Sequence, residues 1–212
     1  MTGAESLLLR QRLAPAGYRL RLFPYSSVGE SMPKVAARLA RFAAALRHRH
    51  GVPVHFLGHS LGGLVVYRLF EQGEPARCGL DLTGTRVVLL GTPAKASQVA
   101  QQLGSSRLGR FLMGAAAAAV ELLLPVERRW RFAPPLGLIC GDRGQGMGRL
   151  LVRFPGPNDG TVQVAETALP GASDWILLPV SHTGLLLSKA AAQETVRFLE
   201  TAAFSPDNRR PV

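Results

Sequence analysis

Residues 54–66 read VHFLGHSLGGLVV, and this stretch decides the fold of the 212-residue chain. An apolar, β-prone run leads into Gly58, and a second apolar run with helical spacing follows Gly62. Between them lies G-x-S-x-G, which predicts a sharp turn from a strand into a helix that exposes the hydroxyl of Ser60. Glycines suit the positions beside the serine because side chains there would crowd the turn. The alternative interpretation is a glycine-rich turn around a passive serine.

The composition is that of one globular domain, and we expect residues 1–212 to form it, with a frayed polar tail at 205–212. No apolar run is long enough for a membrane span, and the N-terminus lacks a signal-peptide pattern, so we expect a cytoplasmic location. The two cysteines, Cys78 and Cys140, form neither a disulfide framework nor a metal-binding spacing. We therefore expect both to be buried, reduced thiols.

The formal net charge of +11 comes almost entirely from arginine. Such a charge could favour nucleic acid or an anionic membrane surface. The arginines are scattered along the chain, however, and no basic run carries interleaved aromatic residues. The sequence therefore does not predict a nucleic-acid partner.

Apolar periodicity predicts helices and strands that alternate along the chain. The predicted helices lie at residues 5–14, 31–50, 61–72 and 189–203. The predicted strands lie at residues 18–23, 53–57, 85–90, 136–140 and 175–180. Strands that alternate with helices in this way indicate an α/β protein with a mostly parallel sheet and right-handed crossovers.

The hexapeptide GHSLGG at residues 58–63 resembles the nucleophile elbow of lipase-like α/β-hydrolases. The likeness is greatest to small bacterial lipases and GPI-inositol-deacylase-like esterases. A Gly-Thr-Pro at residues 91–93, after the next strand, is similar to the same family, and the resemblance extends from about residue 4 to about residue 203. It implies an α/β-hydrolase fold and a serine hydrolase that needs neither a metal nor an organic cofactor.

A serine hydroxyl needs a base to take its proton and a carboxylate to hold that base in the right tautomer. The family places these groups in the order Ser, Asp, His on turns at one edge of the sheet. The resemblance therefore implies that Ser60, Asp159 and His182 form the catalytic triad. Asp159 lies in NDGTV at 158–162 and His182 in SHTG at 181–184, and both segments are similar to the family's loops.

Other acids and histidines compete for these roles. Asp142 also follows a predicted strand and is the rival to Asp159. Asp174 lies at the amino end of the last strand, which is the wrong edge of the sheet. His59 precedes the serine and is common there in the family without being the base. His55 lies within the elbow strand, and we expect it to be a packed core residue.

The tetrahedral oxyanion of ester hydrolysis needs backbone N–H donors, and the amide of Leu61 is expected to be one of them. In the family the partner donor follows a His-Gly, directly after the strand that precedes the first helix of this chain. The sequence begins at that helix, and its His50-Gly51 ends another helix. We expect an upstream in-frame segment of roughly 10–20 residues that encodes an apolar strand ending in His-Gly.

Residues 94–135 interrupt the alternation of strands and helices. An alanine- and leucine-rich run at 111–126 lies between arginines. One interpretation is an ordinary helix packed on the sheet. The other is a helical cap, with an apolar face toward the acyl chain and a basic face that contacts a membrane surface.

The leading hypothesis is an esterase or lipase that cleaves a small-molecule ester or a lipid. A thioesterase, amidase or depolymerase would use the same triad. A binding protein that keeps the fold with an incomplete oxyanion site is the alternative from another class. The sequence assigns no oligomeric state.

Overall fold

A computed structural model of the chain describes residues 3–25, 30–95, 127–144 and 154–206. Its centre is a sheet of four parallel strands in the spatial order β1-β2-β3-β4. The strands are β1 (Phe56–His59), β2 (Val87–Leu90), β3 (Leu136–Gly141) and β4 (Asp174–Leu178). Because all four run in the same direction, their carboxyl ends share one edge of the sheet, where connecting loops can meet.

The helices around the sheet follow the chain in order. They are α1 (Gly3–Leu13), α2 (Met32–His50), α3 (Leu61–Glu71), α4 (Glu74–Arg77), α5 (Val164–Thr167), α6 (Gly184–Leu187) and α7 (Lys189–Thr201), with a 3₁₀ turn at Ala14–Ala16. Gly51 closes α2 in the left-handed conformation that glycine adopts at little cost.

Two apolar clusters lie on opposite faces of the sheet. Val87 and Leu89 of β2 belong to a cluster that includes α2 and α3. Val88 and Leu90 belong to a second cluster that includes α1, α6 and α7. All four side chains are almost completely buried, so β2 is apolar on both faces, as is expected of an inner strand of a parallel sheet.

The predicted architecture of a parallel sheet flanked by helices is confirmed in the described residues. The predicted strand at residues 18–23 is wrong, because this segment forms no strand. Instead, the Tyr18 ring contacts His55 at 5.6 Å between centroids, and the Phe23 ring contacts Phe42 at 5.6 Å. The alternating pattern of residues 18–23 arises because their side chains pack on the sheet and α2, although their backbone forms no ladder of hydrogen bonds with a strand.

Most of the predicted cap, residues 96–126, lies outside the described residues, as do residues 207–212 of the predicted tail. The described end of the cap segment packs on the body of the protein. The buried Arg128 donates to the carbonyl of Ala94 at 3.0 Å, and Trp130 contacts Phe70 of α3 with ring centroids 5.1 Å apart. In the described ranges, no helix has both the length and the apolar character to cross a bilayer.

Candidate active site

Ser60 is the single residue between β1 and α3, and its turn is strained. Its backbone has φ 53° and ψ −127°, and Ala202 is the only other non-glycine residue with positive φ in the described part of the chain. The Ser60 amide donates to the carbonyl of Leu90 at 2.9 Å, which ties the turn to the end of β2. Such strain costs about 1–3 kcal/mol and persists only where the surrounding structure imposes it.

The turn is compressed beneath the serine. A Cβ at Gly58 would lie 2.5 Å from the Cα of Gly63, and a Cβ at Gly63 would overlap the side chain of Thr92. At Gly62, by contrast, a Cβ would lie 3.8 Å from the hydroxyl of Tyr25, its nearest neighbour, which is ordinary contact. Crowding therefore requires glycine at 58 and 63, whereas the predicted requirement at 62 is not seen.

Asp159 and His182 meet at the carboxyl edge of the sheet. Asp159 Oδ2 lies 2.7 Å from His182 Nδ1, and the carboxylate is almost fully buried. The other oxygen, Oδ1, accepts the amides of Thr161 and Val162 at 2.9 and 2.7 Å. The backbone amide of His182 also donates to the carbonyl of Asp159 at 2.8 Å. Asp159 thus fixes both the backbone and the ring of His182.

The loop that carries His182 runs back across the sheet from β4. It passes the end of β3, where the Arg143 amide donates to the carbonyl of Val180 at 3.1 Å. It then passes the end of β2, where a Cβ at Gly91 would lie 3.0 Å from Asp159 Oδ2 and 3.1 Å from His182 Nδ1. Gly91 has φ +52°, so both its conformation and the close approach of this pair favour glycine.

The loop ends against His59, the last residue of β1. His59 Nε2 lies 3.0 Å from the carbonyl oxygen of His182, and the two imidazole rings are 4.6 Å apart. Burial, followed by the nearby His182, lowers the pKa of His59 to about 4.

The competing residues lie elsewhere or have other partners. The backbone amide of Asp142 donates to the carbonyl of Leu178 at 3.2 Å, and it is Asp159 that bonds the His182 ring. Asp174 lies at the amino end of β4, where its carboxylate accepts the amide of Phe204 at 2.8 Å. His55 Nδ1 accepts the amide of Arg86 at 3.1 Å, also at the amino edge.

Of the predicted site residues, Asp159 and His182 are joined by a hydrogen bond in the structure. Leu61, the predicted oxyanion donor, is the first residue of α3. Among the described residues, no hydrogen bond joins the Ser60 hydroxyl to His182. At the level of sequence, His59 is weighed only as a rival base and rejected in that role, and its contact with His182 is missed.

Both cysteines are free, and only one of them is fully buried. Cys140 in β3 contacts the hydroxyl of Thr167 at 2.8 Å, and burial raises the pKa of its thiol to about 12. Cys78 is partly exposed after α4. Within the described ranges, no group of three or more His, Cys, Asp or Glu side chains is arranged to hold a metal ion.

No protein-family profile and no curated protein matches the sequence. Solved structures do share its fold. The mature lipase BlEst2 of Bacillus licheniformis is 19% identical, with a TM-score of 0.67 over 90% of this chain and 81% of the lipase. The phospholipase PlaB of Legionella pneumophila, solved with thio-NAD, is 17% identical, with a TM-score of 0.59 over 97% of this chain and 56% of that one.

A third solved structure is the RedJ thioesterase of the prodiginine pathway in Streptomyces coelicolor. It is 14% identical, with a TM-score of 0.51 over 92% of this chain and 85% of the thioesterase. At these identities the likeness establishes the fold alone. The chain has the α/β-hydrolase fold.

Proposed function

We propose that the protein is a carboxylic ester hydrolase in which Ser60 is the nucleophile, His182 the general base and Asp159 the residue that orients the base. The observation that carries the proposal is the 2.7 Å hydrogen bond between Asp159 and His182, at the sheet edge where the strained Ser60 turn also lies. Perturbed backbone and a paired, buried carboxylate at one edge of an α/β sheet are features of functional sites.

The proposed reaction proceeds through an acyl-enzyme. The Ser60 oxygen attacks the ester carbonyl carbon while His182 Nε2 takes the hydroxyl proton, and Asp159 holds the other proton on Nδ1. When the tetrahedral intermediate collapses, the bond to the alcohol oxygen breaks and His182 gives that oxygen its proton. Water then repeats the path, with His182 as its base, and releases the carboxylic acid and free Ser60.

The oxyanion of both intermediates needs a donor placed beside Ser60. The amide of Leu61 meets this need because it belongs to the first turn of α3, whose amides have no partner within the helix. The positive end of the α3 dipole favours negative charge at the same place. Leu61 is therefore the proposed oxyanion donor from this part of the chain.

An ester with an apolar acyl chain is the proposed substrate. The fold neighbours include a lipase and a phospholipase, and this motivates the choice. The expected cap at 94–135 would line the acyl site and contact a membrane surface. Shortening it should then spare short soluble esters and reduce activity on micellar ones, whereas equal loss on both would assign the segment to packing.

Thioesters form the second candidate class, because the RedJ thioesterase and the thioesterase domain SrfTE share the fold, at TM-scores of 0.51 and 0.52. Matched oxygen esters and thioesters of increasing chain length would separate the two classes. The higher kcat/KM identifies the substrate class, since the acyl group is the same in each pair.

A fluorophosphonate probe, which labels activated serines, tests whether the protein is a hydrolase at all. We expect one labelled site that disappears in Ser60→Ala and persists in Ser173→Ala. Ser173 is an exposed serine at the amino edge of the sheet, where it accepts the Leu136 amide. Folded protein that takes no label, or label that survives in Ser60→Ala, would favour a non-catalytic binding protein.

A further inference from the structure

His59 is a half-buried imidazole to which the proposed reaction assigns no role. It is the residue immediately before Ser60, and its ring lies against the ring of His182, tilted by 43°. A carbonyl oxygen can only accept a hydrogen bond, so the proton in the 3.0 Å contact with the His182 carbonyl must be on His59 Nε2. His59 is therefore a donor to the backbone of the residue proposed as the base.

His182 is consequently held from two sides. Asp159 accepts its backbone amide and its Nδ1–H, and His59 donates to its carbonyl. The two holding residues belong to different parts of the sheet: His59 ends β1 at one side, and Asp159 lies in a loop between β3 and β4. The contact from His59 spans 123 residues of sequence. It directly links the strand that leads into Ser60 to the loop from β4.

We propose that His59 is a positioning residue, whose Nε2–H holds the His182 loop at a fixed place relative to Ser60. What it positions rests on the proposed function, whereas the tether itself does not. A displacement of about 1 Å between a nucleophile and its base can lower a rate about 100-fold, so a single hydrogen bond at this point matters. His59 does not touch the reacting atoms in this proposal.

A neutral His59 ring is suited to holding the His182 loop. The ionisable groups that act on it include His182, Asp159 and the amino terminus, and burial, followed by the nearby His182, lowers its pKa to about 4. His59 therefore stays neutral at neutral pH. A second positive ring 4.6 Å away would oppose protonation of His182.

Two substitutions separate donation from packing. His59→Phe keeps an aromatic ring but removes the donor. His59→Gln removes the ring but keeps an N–H at the same number of bonds from Cβ as His Nε2. His55→Phe is the matched control, because it removes the hydrogen bond of another histidine, which immediately precedes β1.

The experiment measures kcat and KM on a short ester, together with amide hydrogen exchange at His182 by NMR. For His59→Phe we expect kcat to fall about 10- to 100-fold with KM changed less than about threefold, and the His182 amide to exchange at least about 10-fold faster. His59→Gln should recover both properties to within about threefold. His55→Phe should leave both unchanged.

Three outcomes would overturn the tether: wild-type kcat and exchange in His59→Phe, failure of His59→Gln to recover, or an equal loss in His55→Phe. If the wild-type protein hydrolyses no ester and takes no fluorophosphonate, the proposed function fails. Amide exchange at His182 then still decides whether His59 holds the loop.

Discussion

The two edges of the sheet contain the same residue types and use them differently. At the carboxyl edge, His182 and Asp159 bond each other. At the amino edge, His55 accepts the Arg86 amide and Asp174 accepts the Phe204 amide, so each side chain completes a backbone hydrogen bond. Of these two His and Asp sets, the one at the carboxyl edge is joined side chain to side chain, whereas the one at the amino edge is not.

The difference teaches that a histidine and an aspartate near a sheet do not by themselves define a site. At the amino edge, each side chain accepts a part-buried backbone amide that would otherwise lack this partner. At the carboxyl edge, the loop from β4 returns across the sheet and brings ionisable groups together beside a strained serine. This contrast can be tested by equal substitutions at the two edges.

The largest expected effect is on activity at the carboxyl edge. Ser60→Ala and His182→Ala should each lower kcat for ester hydrolysis by about four to six orders of magnitude, because nucleophile and base act as a unit. His55→Ala, at the amino edge, should retain wild-type kcat per folded molecule. Equal losses in His182→Ala and His55→Ala would remove the distinction between the edges.

The orienting acid should show the next largest effect. Asp159→Asn should lower kcat about 10⁴-fold, since an amide favours the wrong tautomer of His182. The fold should survive, as judged by circular dichroism, because an amide oxygen can still accept the Thr161 and Val162 amides. Asp142→Asn is the control, and if it abolishes activity while Asp159→Asn does not, Asp142 is the triad acid.

A pH effect of intermediate size comes from His59. Its pKa is about 4 when folded and near 6.5 when unfolded, so the unfolded chain takes up a proton first as the pH falls. The contribution of His59 is therefore complete above pH 6.5 and is lost between pH 6.5 and 4, a change of about 3 kcal/mol.

Urea unfolding at pH 7 and pH 4 measures this change. The loss of stability at pH 4 should be smaller in His59→Phe than in the wild type by that amount. His55, whose pKa burial also lowers, is present in both proteins and cancels in the difference. An identical pH dependence in the two proteins would contradict the burial of a neutral imidazole at 59.

The smallest expected effect concerns stability at the amino edge. Asp174→Ala removes the acceptor of the Phe204 amide and should lower the free energy of unfolding by about 1–3 kcal/mol. It should not change kcat, because Asp174 lies at the amino end of β4 whereas the His182 loop follows the carboxyl end. Thermal unfolding and ester turnover, measured on the same sample, check both statements.

Much of the architecture could be predicted because apolar periodicity reports burial directly. The strands at 85–90, 136–140 and 175–180 are of this kind, whereas the turn at Ser60 was predicted from the G-x-S-x-G motif. Residues 18–23 could not be judged in the same way, since alternating side chains look alike in a paired strand and in an extended segment packed by its side chains. Their partners, His55 and Phe42, are not visible in a local pattern.

Which aspartate pairs with His182 was harder to predict. Asp142 and Asp159 both follow a strand in the sequence, and spacing alone does not show which one reaches His182. That depends on the path of the loop from β4 past Gly91, which is a property of the assembled sheet. The contact of His59 with a backbone carbonyl leaves no signature in residue type at all.

The long sequence separation of the His59–His182 contact also has a consequence for the order of events in folding. His59 ends the first strand in the sheet, and His182 follows the fourth, so a refolding chain can bring them together only when β1 and β4 have both joined the sheet. Contacts between such distant residues form late because loop closure precedes any gain from them. In a refolding time course, we therefore expect secondary structure to return first and competence for covalent labelling to return last.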